Sequence, residues 1–195
     1  GAGTSTGGQL KQLFRFSNMK FGVWAIFCYV GAEVVIGTFL TNYIADLLAI
    51  SETAANPYVS WYWGGMLVGR LAGGVLLRAV APQKLLALFS LLSVTCILVS
   101  INSTGSVAAW SMVMVGLFNS VMFAVIFSLS VAGLGNLTTI ASGVLSTAIA
   151  GGAVISLLFG VIKDYTTWEI AFLLPAFCYL YILYFGIRGY RFKKY

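Results

Sequence analysis

Apolar stretches separated by short polar breaks set the pattern of this chain, and each is near the ~20 residues a membrane-spanning helix needs. The first runs from about Phe21 to Leu48 and ends in the turn around Ser51 to Pro57. The second runs from about Tyr58 to Leu77, before Arg78 and Pro82. The third, about Leu85 to Ile101, stops at the Asn102-Ser103-Thr104-Gly105 turn. The fourth covers about Val107 to Val131, the fifth about Ile140 to Ile162 and the sixth about Ile170 to Ile187. The pattern predicts an all-α, polytopic membrane protein with six transmembrane helices. Residues 1–20 read as a linker or cytoplasmic tail, 21–190 as one six-helix domain and 191–195 as a basic cytoplasmic tail. Gly1 to Gly8 is small, polar and flexible, so the chain is expected to begin at a linker or a cut.

Charge supports an even number of spans. Lys11, Arg15, Lys20, Arg78, Lys84, Arg188, Arg191, Lys193 and Lys194 fall on one side if there are six. Asp46, Glu52, Asp164 and Glu169 fall on the other, with Lys163. Cytoplasmic flanks are rich in Lys and Arg, so both termini are expected in the cytoplasm.

Composition narrows the class. Charged residues make up 8% of the 195 positions and hydrophobic residues 60%, whereas a soluble domain carries roughly 25% charged residues. A soluble enzyme, a disordered tail and a secreted disulfide scaffold are excluded. Nucleic acid is not an expected partner, because the aromatics lie in or beside the spans and not among the cations. Cys28, Cys96 and Cys178 sit inside apolar runs and read as small core residues. With no histidine, no nucleophile–base pair and no phosphate-binding glycine loop, neither an intramembrane protease nor an ATP-driven pump fits, and no cofactor or metal is implied.

Polar groups inside the spans are the candidate chemistry. Glu33 lies near the middle of the first span, where an acid costs about 2.5–3.5 kcal/mol to insert. It either makes a structural hydrogen bond to a neighbouring helix or binds substrate or a proton. Gly31 and Gly37 flank it and permit a bend. Asn42 follows nine residues later and lines the same cavity only if the helix bends; otherwise it caps the outer end. Asn119 in the fourth span either locks helices together or binds a polar ligand, with Phe123 and Phe127 on one face after it. Trp61, Tyr62 and Trp63 form an interfacial belt or stack on a sugar ring. Gly65, Gly69 and Gly73, and in span five Gly143, Thr147 and Gly151 or Gly152, Ser156 and Gly160, repeat every fourth residue and predict close helix packing. The polar group in spans one and four and the glycine ridge in spans two and five suggest a three-plus-three inverted repeat, the architecture of secondary transporters.

The motifs also carry a family resemblance. Residues 31–43 (GAEVVIGTFLTNY) resemble the seventh helix of the fucose permease and glucose/galactose transporter branch of the major facilitator superfamily. Residues 61–70 (WYWGGMLVGR) resemble its eighth helix and 78–86 (RAVAPQKLL) the following loop. Residues 116–123 (GLFNSVMF) are similar to its tenth helix and 148–153 (AIAGGA) to its eleventh. The resemblance implies the C-terminal six-helix half of a sugar–proton symporter working by alternating access, with a lipid bilayer, a sugar, a proton and either the missing N-terminal half or a second copy as partners. It implies that Glu33, Asn42 and Asn119 hydrogen-bond sugar hydroxyls and that Trp63, Phe118 and Phe123 wall the cavity. Arg70 then supports a cytoplasmic gate through a carboxylate or carbonyl partner, or anchors at the surface. The alternatives are a transport-incompetent interaction module and a half-size transporter that homodimerises. Three features depart from the family pattern: Ala124-Val125 replace Pro-Thr, Ser156 replaces Pro and Phe159 replaces Gln.

Overall fold

The structure, a computed structural model, describes residues 5–195; of the leading segment expected to be flexible, residues 1–4 lie outside that range. The described residues form helices, with one isolated antiparallel bridge between Phe16 and Lys194. A short helix α1 (Thr6–Leu13) precedes the long α2 (Ser17–Leu48). Then come α3 (Glu52–Leu76) and α4 (Pro82–Ile101). The fourth span is α5 (Gly105–Asn119) followed by α6 (Met122–Val131), and the fifth is α7 (Thr138–Thr147) followed by α8 (Gly151–Tyr165). The sixth is α9 (Trp168–Ala171) and α10 (Leu173–Tyr184), extended by a π turn at Phe185–Gly189.

Local chemistry sets the ends. The Ser51 hydroxyl accepts from the Ala54 N–H at 3.2 Å and caps α3, with Glu52 in its first turn, where a carboxylate complements the helix dipole. Pro82 opens α4 at the position where a missing N–H costs nothing. The segment expected as a plain tail is folded from Thr6 onward. Leu13 is fully buried and α1 rests on α7, and the first long helix begins at Ser17.

Five of the six segments are long and apolar enough to cross a membrane. The sixth, α3, has the length at 25 residues, but Arg70, its glycines and its Trp and Tyr side chains keep it less apolar. Residues 15–17 and 193–195 meet at one end of the bundle, where the Ser17 N–H donates to the Lys193 carbonyl at 2.8 Å and the Tyr195 N–H to the Arg15 carbonyl at 3.0 Å. Asp46, Glu52, Asp164 and Glu169 gather at the other end. There the Trp168 Nε1–H donates to Asp46 at 2.8 Å, and Lys163 Nζ lies 4.6 Å over the Trp168 ring. An even number of crossings follows directly.

The helix contacts repeat under exchange of the two triplets. The first triplet is α2, α3 and α4; the second is α5–α6, α7–α8 and α9–α10. As α3 packs on α5, so α8 packs on α2; as α4 packs on α5, so α10 packs on α2. The pairs α4 with α10 and α2 with α5–α6 map onto themselves. Three crossings reverse the chain direction, so the repeat is inverted.

Glycine seams make both halves of this exchange possible. A Cβ on Gly69 would lie 2.4 Å from the Leu117 carbonyl oxygen, and one on Gly116 2.2 Å from that of Tyr62. In the symmetry-related seam a Cβ on Gly151 would lie 2.2 Å from the Phe27 carbonyl oxygen, and one on Gly31 2.5 Å from Ile155. Gly31 and Gly37 lie inside one continuous helix. α2 runs unbroken because those glycines serve close approach, to Ile155 and to the Trp63 indole. The fifth-span ridge is used only in part, since Gly143 has no neighbour within 4 Å and Gly160 only an ordinary contact with Phe39.

The seam predicts a graded response. Gly151→Ala pushes a methyl into main chain and lowers stability by about 1–3 kcal/mol, whereas Gly143→Ala, in open space, is neutral or slightly stabilising. Thermal unfolding of the two variants in detergent measures this, and equal midpoints would show that α8 does not approach α2 so closely.

Candidate functional site

The site is built around the break in the fourth span. α5 ends at Asn119, α6 opens at Met122, and Ser120 and Val121 lie between them. No proline causes this. The carbonyls at the break are taken by side chains from other helices: the Tyr29 hydroxyl of α2 donates to the Asn119 carbonyl at 3.0 Å, and Arg70 Nε of α3 donates to that of Ser120 at 3.4 Å. Arg70 thus has the carbonyl partner that a guanidinium in a membrane helix requires.

The Asn119 side chain is fully buried at 0% exposure. Its Nδ2 donates to the Tyr62 hydroxyl at 2.9 Å, and its Oδ1 accepts from the Tyr179 hydroxyl at 2.5 Å. The Tyr62 hydroxyl in turn donates to the Glu33 main-chain carbonyl at 3.1 Å. One amide therefore joins α2, α3, α5 and α10. Packed protein carries the whole chain of donors and acceptors, which in an apolar interior is worth more than its parts.

A half-open face lies beside this knot. Tyr29, Glu33 and Gly37 are spaced by one turn of α2 and share a side. Glu33 is half-buried, and the Trp63 indole lies over Gly37 with 45% of its surface exposed. The Phe123 ring is 6.3 Å from Tyr29 and stacks on Phe127 at 6.1 Å. Arg70 is exposed at the same level of the bundle. This face offers a carboxylate, a guanidinium and three aromatic rings, a set suited to a polar ligand with an apolar side.

Glu33, Trp63, Asn119, Phe123 and Arg70 are brought together. Asn42 and Phe118 are not. Asn42 lies about 13 Å further along the continuous α2, where its Nδ2 donates to Glu52 at 3.1 Å. The Phe118 ring packs on Phe89 of α4 at 5.6 Å, turned away from the half-open face. Phe159, standing where the resemblance leads one to expect Gln, is buried in an aromatic cluster with Phe39 at 4.7 Å and Phe172 at 5.0 Å. Reading the sequence missed Tyr29 and Tyr179. Tyr29 had a signal, one turn before Glu33; Tyr179, one aromatic among many in the sixth span, had none.

No family model matches the chain. It is 40% identical over 178 residues to a glucose/galactose transporter of Brucella abortus, covering 90% of this chain and 43% of that protein. It is 43% identical over 186 residues to a putative glucose/galactose transporter of Helicobacter pylori, covering 93% and 46%. The L-fucose-proton symporter of Escherichia coli is 28% identical over 179 residues, covering 91% and 41%. Among solved structures, FucP in the outward conformation superposes with a TM-score of 0.89 at 27% identity, over 95% of this chain and 45% of that one. The chain spans less than half the length of these relatives, which are transporters and not enzymes. In sequence and in fold, then, it is related to the glucose/galactose and L-fucose transporters of the major facilitator superfamily, and it corresponds to one half of such a transporter.

Proposed function

We propose that the chain is the C-terminal half of a proton-coupled sugar transporter that works by alternating access. In this reading its basic ends lie in the cytoplasm, and it sits in a bacterial inner membrane beside a second six-helix half. The observation that carries the reading is the half-open face itself, an acid in mid-span beside Trp63 and Phe123 on a bundle related to sugar transporters. Glu33 would accept hydrogen bonds from sugar hydroxyls and exchange a proton, while Trp63 and Phe123 cover the apolar side of the ring. Asn119 would bear on the site by holding Tyr62 and Tyr179, and through them the wall behind the sugar. Arg70 would set the gate, because its single long contact with the Ser120 carbonyl ties α3 to the break. Asn42 would act at the outer mouth with Glu52, and Phe118 would back the fourth span.

The test is uptake of glucose, galactose and fucose into proteoliposomes holding this chain, alone and with an N-terminal half from a relative. The expected outcome is uptake stimulated by an inward proton gradient and reduced about 10- to 100-fold by Glu33→Gln, the loss of a charge-assisted hydrogen bond. Uptake by the chain alone would identify a second copy as the partner. No uptake in either arrangement, with an assembled complex, would favour a transport-incompetent module.

Two substitutions separate frame from site. Asn119→Ala leaves the buried Tyr179 hydroxyl without its acceptor and Tyr62 with the Glu33 carbonyl alone, and destabilises the bundle by about 1–3 kcal/mol. Trp63→Ala removes a half-exposed ring, with a smaller shift in the melting midpoint and a larger loss in sugar affinity. Melting curves in detergent with equilibrium sugar binding measure both, and an Asn119→Ala protein melting at the wild-type temperature would remove the network from its structural role.

A further inference from the structure

At the basic end of the bundle, a cavity of about 370 Å³ is lined by Arg188, Arg191 and Lys193, with Ser17, Tyr184 and Tyr195 between them. None of the five acids of the chain lines it. Tyr184 and Arg188 also line a second cavity, of about 390 Å³, whose other walls are Leu180, Leu183 and Ile187. The two share a border: a strongly basic hollow opens onto an apolar groove running up the outer side of α10.

The hollow is a built feature. The main-chain bonds between residues 15–17 and 193–195 hold Lys193 and Tyr195 against the start of α2. The Tyr181 hydroxyl donates to the Phe21 carbonyl at 2.9 Å, and the rings of Phe21 and Tyr184 meet edge-on at 5.8 Å. Arg188 sits in the π turn at Phe185–Gly189, a wide turn that is rare and concentrates at functional sites. Gly186 in that turn rests on α4, where a Cβ would lie 3.1 Å from the Gln83 carbonyl oxygen. The backbone is thus fixed on three sides while the cations face outward.

We propose that this pair of cavities binds an anionic phospholipid. The headgroup phosphate lies among Arg188, Arg191 and Lys193, and an acyl chain follows Leu180, Leu183 and Ile187. The tyrosine hydroxyls provide further donors to phosphate or glycerol oxygens. Free phosphate would leave the apolar groove unused. A zwitterionic lipid would bring a quaternary ammonium into a hollow that no Asp or Glu side chain lines. Basic pockets where helices leave the membrane on their cation-rich side are suited to anionic headgroups. The proposal rests on the membrane-spanning fold and is independent of the sugar reading.

The experiment is native mass spectrometry of the intact chain released from detergent with equal amounts of phosphatidylglycerol and phosphatidylcholine. One phosphatidylglycerol is expected to be retained in preference. Arg188→Gln with Arg191→Gln weakens that retention about 30-fold, at roughly fivefold per basic side chain, whereas Arg78→Gln, at the same end but outside the hollow, leaves it unchanged. Leu183→Trp fills the groove without touching a charge and also weakens retention; circular dichroism checks that each variant is folded. Equal retention of the two lipids, an equal loss with Arg78→Gln, or displacement of the lipid by inorganic phosphate with no effect of Leu183→Trp would overturn the proposal.

Discussion

In a bilayer a main-chain carbonyl released by a broken helix has no water to turn to. The break after Asn119 therefore requires two donors from elsewhere, and α2 and α3 supply them through Tyr29 and Arg70. The Asn119 amide then draws in Tyr62 and Tyr179. Every helix in this arrangement is positioned by the need to satisfy a few polar atoms at one depth. The half-open face is the other side of that arrangement: once Tyr29 is held at the break, Glu33 and Phe123 are set beside it.

Glycine seams and the amide knot divide the work. Close backbone approach at Gly69, Gly116, Gly31 and Gly151 provides dispersion contact along two symmetry-related lines, the main attraction between helices where lipid is as apolar as the side chains. The knot adds direction, because hydrogen bonds fix register where smooth seams alone do not. α3 and α8 bury little beyond their seams, while α2 is wrapped on several sides. The helix that carries Glu33 is thus the most constrained, and those beside it are held along narrow lines.

Six apolar stretches, the sidedness of charge and the resemblance in residues 31–43 and 61–70 were enough to read the fold class from the chain. The break at Ser120–Val121 was not legible, because no proline or glycine marks it and its cause lies in Tyr29 and Arg70, distant in sequence. Gly31 and Gly37 were ambiguous for the converse reason: a glycine that permits a bend looks the same as one that admits a neighbour. Of the site, Glu33 and Asn119 stood out as polar groups in apolar runs. Their different surroundings, one half-open and one sealed, depend on tyrosines from three helices that no local pattern announces. Asn42 and Phe118 carry suitable chemistry, but Asn42 reaches to Glu52 and Phe118 packs on Phe89, which sets both apart.

The antiparallel contact between residues 15–17 and 193–195 closes the six-helix unit into a loop. A pull on the segment that leads into α2 meets two main-chain hydrogen bonds before it meets the helix, and those bonds hand the load to the end of α10. Tension on that segment is therefore shared with the C-terminal end of the sixth span and is not carried by α2 alone.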